Sequence, residues 1–425
     1  MKLQAPKGTR DYYPAEMAWR RYLEGHWRAV SIRNGFEEVD GPIFESLDLY
    51  KVKSGEGIVS ELFHFTDRGE RELAIRPEFT PTLARMVAAK ANALPRPIKW
   101  FSTPNLCRAE RPQRGRLREF LQWNVDMLGM SEAIADAEVI FTCVDLLRTL
   151  GLRPQHVKVR ISHRETVRAI LSKLGVPDEK MIDAFDLLDR RDKLPVEEFV
   201  KQAGNLGLDE FKVERFSQMC RRRYPAGDVD HLERSIGIGA IPDLDALDRE
   251  LSAFGISDWC EYDLGIVRGL AYYTGTVFEV HEVSGAERAM AGGGRYDKLI
   301  ELMDGPPMPA VGFGMGDVVL SLVLTDKGLM PSNVMPPVDA FVIAADDAAK
   351  PQLSLVTATL RAAGLHTRLS YRSTTNVGKL LKDASSCNAR FAVILDAKAA
   401  ALKNMTTGEQ VEVPIQELAA KIQGR

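Results

Sequence analysis

From the start of the chain to about Leu150, helical and strand patterns alternate. HVKVRIS, residues 156–162, predicts a strand, and beyond it the sequence turns helical and charge-rich. In DEKMIDAFDLLDRRDKLPVEEFVKQAG, residues 178–204, apolar residues recur at the spacing of one helix face. That texture lasts to about Gly255, after which strand patterns with many glycines return over residues 259–324. The helical block therefore reads as an insertion into one sheet-containing domain. A second break, GLMPSNVMPPVDAF at residues 328–341, has the proline and serine content of a linker. After it AFVIAA predicts a strand, LSLVTATLRAAG a helix stopped by Gly364, HTRLSY a strand, VGKLLKDASSC a helix and FAVILD a strand. VEVPIQELAAKI then predicts a strand running into a last helix. Such a rhythm predicts a compact α/β unit with a mostly parallel sheet. The divisions are a core of residues 1–164 and 256–327, a helical insertion 165–255, a linker 328–337 and a terminal unit 338–425.

Composition narrows the setting more than the function. The 425 residues allow about two to four domains, each able to bury a core. Hydrophobic residues at 45% and charged ones at 27% are the balance of an ordinary soluble protein. No apolar run approaches a membrane span, and MKLQAPKGTRDYYP lacks the apolar stretch of a signal peptide. Cys107, Cys143, Cys220, Cys260 and Cys387 are scattered, without a CxxC pair or clustered histidines, so neither a disulfide framework nor a zinc site is signalled. A reducing cytoplasm is the simplest home. With a formal net charge of -3, a nucleic-acid partner has to be held by local patches.

Four stretches carry candidate chemistry. In AIRPEFTPTLARMVAAK, residues 74–90, Thr80 reads as a helix N-cap with Pro81 at the first helical position. Glu78, just ahead, either faces a ligand's ammonium or only complements the helix dipole. In LCRAERPQRGRLREF, residues 106–120, RPQRGR predicts a hairpin loop with Gly115 at positive φ and Arg108 and Arg118 on the flanking strands. Its arginines suit a polyanion such as a nucleoside triphosphate, because a guanidinium binds phosphate oxygens in pairs; a solvated charged loop is the plainer reading. IVRGLAYYTGTVFEV, residues 266–280, predicts a strand with Arg268, Tyr272 and Thr274 on one face and Tyr273 on the other, unless a bulge turns both tyrosines inward. Ordinary sheet packing also accommodates two tyrosines. GGGRYDKLI, residues 292–300, is followed by AVGFGMGDVVL, residues 310–320. A triple glycine more often marks a tight turn than a phosphate cradle, and no GxxxxGK[ST] is present.

Taken in order, these stretches resemble the histidyl-tRNA synthetases, members of the class II aminoacyl-tRNA synthetases, over nearly the whole chain. IVRGLAYYTG is similar to the family's histidine-binding stretch, LCRAERPQRGRLREF to its second class motif, and RPEFT and GGGRYD to two further signatures. FEEVDGPIFESLDLY, around Pro42, is similar to the first class motif, whose proline helps form a dimer interface. The resemblance implies an α+β catalytic domain built on an antiparallel sheet flanked by helices, with a helical insertion and a C-terminal α/β anticodon-binding domain. It implies a histidine–tRNA ligase that uses ATP to form histidyl-adenylate and pyrophosphate and then charges tRNA(His). By resemblance, Glu78, Thr80 and Asp126 take the ammonium of L-histidine, Gln122 lies nearby, and Tyr272 and Tyr273 frame the imidazole. A neutral imidazole has one donor and one acceptor nitrogen, and phenols can serve either. Arg108 and Arg268 are implied as catalytic, on opposite sides of the α-phosphate, where they also meet the histidine carboxylate. Arg116 and Glu110 would contact the rest of ATP, with Tyr296 near the pocket and Mg²⁺ on the phosphates; no resident metal site is implied.

The terminal unit carries Arg361, Arg368, Arg372, Lys379, Lys382 and Lys403 spread rather than clustered, a pattern suited to backbone contact. Arg221 to Arg223 in the insertion read as a solvated helical face or as a contact to the acceptor arm. Three departures stand out. Val318 and Val319 replace a Glu-Arg pair in the third class motif, Ala271 replaces a common aspartate, and DAKAAALKN replaces an acidic run. The alternative reading is a catalytically inactive, synthetase-like regulatory subunit of ATP phosphoribosyltransferase in histidine biosynthesis, which would usually lack the terminal domain and the ATP arginines.

Overall fold

A computed structural model describes residues 3–54, 56–191, 194–237, 241–268, 273–396 and 399–424, in two compact units, Met1–Ser332 and Asn333–Arg425. The first is organised by a ten-stranded sheet in the order Glu37–Glu38, Ile98–Ser102, Glu119–Leu128, Ala310–Gly316, Ala291–Arg295, Thr276–Glu282, Val157–His163, Cys260–Tyr262 and Tyr224–Pro225. Asn105–Cys107 pairs separately with the first part of Glu119–Leu128. Pairing is antiparallel except at two places toward the edges, where Glu37–Glu38 runs parallel to Ile98–Ser102 and Cys260–Tyr262 runs parallel to Val157–His163.

Alternation explains how the sheet divides its two faces. Along Glu119–Leu128, Leu121, Trp123, Val125 and Met127 enter the main core, leaving Phe120, Gln122, Asn124 and Asp126 for the other face. Helices Pro14–Arg33 and Ala133–Thr149 cover the core side through Leu23, Trp27, Val30, Ile140 and Val144. Buried Trp123 donates its indole N–H to Ser31 Oγ at 2.8 Å, so a large aromatic is accommodated without an orphan donor. Helix Thr80–Lys90 closes part of the opposite face, where Leu83, Ala84 and Val87 meet Val277, Tyr296 and Ile300 in a second core.

Residues 164–253 form helices Arg164–Leu174, Met181–Asp189, Val196–Asn205, Glu210–Arg221, Val229–Ile236 and Pro242–Ala253. The block also contributes the sheet-edge strand Tyr224–Pro225. Arg222 lies over the Tyr224 ring and Arg223 reaches Asp263, so two of the three consecutive arginines serve local contacts.

Three local expectations change. Of the strand expected over residues 266–280, the described residues form Thr276–Glu282. Asp263 takes the Gly265 N–H on its side chain and the Ile266 N–H on its carbonyl, turning the chain before Arg268, which adopts φ +49°. Tyr272 falls outside the described residues. Helix Thr80–Lys90 starts with Thr80 already inside its first turn beside Pro81, and Phe79 at the cap position. Finally, the triple glycine is no turn: Gly292, Gly293 and Gly294 lie in the strand Ala291–Arg295.

The C-terminal unit has a five-stranded sheet in the order Thr367–Leu369, Val338–Ala344, Ala389–Leu395, Ala400–Asn404 and Gln410–Val413. Its first three strands are parallel and the last two antiparallel, so the sheet is less uniformly parallel than the rhythm predicts. The unforeseen strand Ala400–Asn404 lies in DAKAAALKN, whose alanines and lysines have little strand propensity. Helix Val377–Ser386 is capped by the Asn376 side chain, which accepts the Lys379 N–H at 3.0 Å.

Candidate active site

The face of the sheet away from the main core bears a cavity of about 940 Å³. Its floor is the strands Glu119–Leu128, Thr276–Glu282, Ala291–Arg295 and Ala310–Gly316, and its rim includes the Gln113–Arg116 turn. That turn is a hairpin end: Gln113 and Arg116 bridge, Gly115 takes φ +73°, and the Arg108 N–H donates to the Arg118 carbonyl at 2.8 Å. Arg108 and Arg118 thus stand opposite each other just beyond the paired strands. Arg114 forms an ion pair with the nearly buried Glu287, tying the turn to the approach of the strand Ala291–Arg295.

Glu78, Thr80, Arg108, Arg116, Gln122, Arg268 and Tyr273 all line this cavity, although they come from distant parts of the chain. Arg108 donates Nε to the Pro77 carbonyl at 3.1 Å and lies over the Phe120 ring. Burial lowers its proton affinity, Glu78 and Glu110 oppose that, and Arg116 and Arg268 reinforce it. Glu110 forms an ion pair with Arg116 at 2.5 Å.

Arg268 is fixed at both ends. Arg164 Nη1 donates to the carbonyls of Val267 and Arg268 at 2.7 and 2.9 Å, and Arg164 itself rests over Phe185 of the helical block. The Arg268 guanidinium lies over the Tyr273 ring and donates to Glu279 Oε1 at 2.9 Å. The other Glu279 oxygen meets His281 Nε2 at the same distance. Burial would raise the Glu279 carboxyl, but the His281 bond and the Arg268 charge hold it below its ordinary value. A left-handed arginine is uncommon, and these contacts over-determine it.

Asp126 and Tyr296 lie beneath the lining, both buried, with the Tyr296 hydroxyl 2.5 Å from Asp126 Oδ1. Burial pushes the Asp126 carboxyl up to about 7, with the tyrosine bond acting against it. Burial likewise raises Tyr296, and the neighbouring Asp126 charge adds to the effect.

Glycines make room for these polar side chains. A methyl group on Gly292 would collide with the Arg268 guanidinium, one on Gly312 with the Asp126 carboxylate, and one on Gly314 would come within 2.7 Å of the Gln122 amide. The glycine-rich strands are therefore the surface across which Arg268, Asp126 and Gln122 are laid.

Glu279, His281 and Arg288 also line the cavity and were not foreseen. Glu279 and His281 were signalled weakly: in TVFEVHE they occupy the alternate positions opposite Phe278 and Val280, which enter the main core. Chemically, the site joins a cationic rim suited to phosphate oxygens with carboxylates suited to an ammonium.

A family model described as Histidyl-tRNA synthetase matches residues 8–316, and one described as Anticodon binding domain matches residues 339–425. The chain is 37% identical to the histidine–tRNA ligase of Opitutus terrae, over 99% of this chain and 98% of that protein. It is 39% identical to the histidine–tRNA ligase of Natronomonas pharaonis, over 96% and 95%. The crystal structure of histidyl-tRNA synthetase from Nostoc sp. PCC 7120 superposes with a TM-score of 0.82 over 100% of both chains, at 23% identity.

Proposed function

The chain belongs to the histidyl-tRNA synthetase family, and from that premise we propose how its residues divide the work of joining histidine to tRNA. Its activity is that of a histidine–tRNA ligase with ATP as substrate. The histidine carboxylate attacks the α-phosphorus of ATP, the bond to the β-phosphate oxygen breaks, and pyrophosphate leaves. Histidine then passes from the adenylate to the terminal ribose of tRNA(His).

No protein nucleophile is needed for adenylation, so positioning and charge stabilisation do the work. Arg108 and Arg268 hold the α-phosphate and the attacking carboxylate; the observation that carries this reading is that both guanidiniums line the cavity that also contains Glu78. Glu78 and Thr80 receive the ammonium, with Gln122 beside them and Asp126 buried beneath, while Tyr272 and Tyr273 frame the imidazole. A site that hydrogen-bonds its substrate rejects analogues that leave its polar groups unpaired. Arg116, positioned by Glu110, holds phosphates farther along ATP, and Tyr296 acts by positioning Asp126.

Magnesium fits this cavity as a companion of the nucleotide. Glu110 offers a hard oxygen donor beside Arg116, and Mg²⁺ takes one or two carboxylates when phosphates and water complete its shell. Bound there, it would neutralise phosphate charge. The cluster of possible metal ligands among the described residues, Asp230, Glu233 and Asp245, belongs to the helical block rather than to this cavity.

In the C-terminal unit, Tyr371 is 88% exposed beside Arg361 and Arg368 around a smaller cavity, a combination suited to stacking a base and holding a backbone. We assign the anticodon contact to this face. Ile43, Phe44, Val52, Phe63 and Phe65 expose apolar surface next to Pro42, which supports a homodimer through this patch. No helix among the described residues is long and apolar enough to cross a membrane. The scattered free cysteines fit a reducing, cytoplasmic setting. Retention of Arg108, Arg116, Arg268 and the C-terminal unit supports the ligase over the transferase regulatory subunit.

The test is pyrophosphate exchange into ATP, run with each amino acid in turn and without tRNA. Exchange with histidine alone is expected. Histidine binding without exchange would turn the reading toward a regulatory protein.

A further inference from the structure

The rim of the cavity holds an arginine to which nothing in the adenylation scheme assigns a task. Arg288 lines the cavity from the segment leading into the strand Ala291–Arg295. Unlike Arg116, which is paired with Glu110, and Arg268, which is paired with Glu279, it makes no hydrogen bond or ion pair among the described residues. A solvent-accessible guanidinium without a carboxylate, facing other guanidiniums across a cavity, is a poor arrangement for stability and a good one for an anion.

Its position along the cavity can be read from its neighbours. The charges acting on Arg288 are, in order, those of Arg116, Glu110, Arg108 and Glu279. Those acting on Arg108 are, in order, those of Glu78, Glu110, Arg116 and Arg268. Arg116 thus leads among the charges on Arg288, and Glu78 among those on Arg108. The Gly115 turn, Val319 and the stem of Arg288 converge at one spot: a methyl group on Gly115 would lie 3.2 Å from Val319 and 3.7 Å from Arg288 Cδ. The wall at Val318 and Val319 offers no cation, and Arg288 stands beside it. The Arg114–Glu287 pair ties the turn bearing Arg116 to the residue preceding Arg288, so one brace joins the two segments that carry these arginines.

We propose that Arg288 and Arg116 form a clamp on the two terminal phosphates of ATP, the pair that departs as pyrophosphate. This assignment rests on the synthetase reading, with the α-phosphate between Arg108 and Arg268. Arg288 therefore supplies from the sheet's approach segment the positive charge that the wall at Val318 and Val319 lacks.

The experiment compares the full-length parent with Arg288→Ala and Arg288→Gln in histidine-dependent pyrophosphate exchange, alongside calorimetry with inorganic pyrophosphate, ATP and adenosine. Loss of one charged contact is expected to raise the KM for ATP and the Kd for pyrophosphate about tenfold or more, since each factor of ten is about 1.4 kcal/mol. The KM for histidine and the affinity for adenosine should stay as in the parent. Both variants are expected to melt with the parent, because the replaced side chain makes no hydrogen bond among the described residues; either folded variant suffices for the measurement. Unchanged ATP and pyrophosphate constants overturn the clamp. An equal loss of adenosine binding also overturns it, by placing Arg288 on the base. Absence of exchange in the parent would instead defeat the synthetase reading itself, and the two failures are thereby told apart.

Discussion

The Tyr296 hydroxyl donates to Asp126 Oδ1 at 2.5 Å, joining two side chains buried beneath the cavity floor. Burial raises the aspartate to about 7 in the folded protein, against about 3.9 in an unfolded chain. Folded Asp126 thus keeps a proton that the unfolded chain has lost across that interval. The stability this provides is complete below pH about 4 and is lost as pH rises toward about 7, by up to about 4 kcal/mol. Asp126→Asn keeps an acceptor for the tyrosine and removes the titration. Urea unfolding of parent and variant at successive pH values should therefore diverge across this window. Parallel curves would show that Asp126 is not the group that titrates.

Removing the guanidinium in Arg268→Ala is expected to slow adenylate formation by about 10² to 10³ while the protein stays folded. Gly292→Ala should do similar damage indirectly, since the added methyl would occupy the place of the guanidinium. Single-turnover rates equal to the parent's in both variants would remove Arg268 from the chemistry.

Glu279 bears on the same arginine from the other side. Replacing it in Glu279→Gln keeps an acceptor but withdraws the charge that holds Arg268. A loss of about tenfold in single-turnover rate, with ATP affinity retained, is the expected outcome. A loss of ATP affinity without a change of rate would assign Glu279 to nucleotide binding instead.

Tyr371→Ala tests the C-terminal unit separately from the chemistry. Losing one base-stacking ring is expected to lower kcat/KM for tRNA charging about tenfold or more, with amino-acid activation untouched. Equal charging by parent and variant would place the anticodon contact on another surface.

The sequence made some parts of this site visible because their signals are local. The arginine hairpin is punctuated by Pro112 and Gly115, and the C-terminal rhythm is punctuated by Gly364 and the Asn376 cap. Arg288 and Glu279 were less visible, because their significance comes from the segments the fold gathers around the cavity rather than from neighbours in sequence. Residues 266–268 misled for a related reason: valine and isoleucine favour strands, but the Asp263 turn and the Arg164 contacts fix a loop there. The triple glycine was ambiguous until the strand beside it showed what a methyl group would meet.

The strand Glu119–Leu128 also works as a ruler. Phe120, Gln122 and Asn124 present themselves to the cavity and Asp126 follows in the same alternation, while the intervening side chains are anchored in the main core. At about 3.3 Å per residue, the span from Phe120 to Asp126 is about 20 Å. Adenylation needs its nucleotide and amino-acid ends graduated on such a scale. Deleting one residue between those marks would invert the alternation beyond the deletion and send the Asp126 carboxylate toward the core. The scale can be lost in one step, but it cannot be adjusted in small ones.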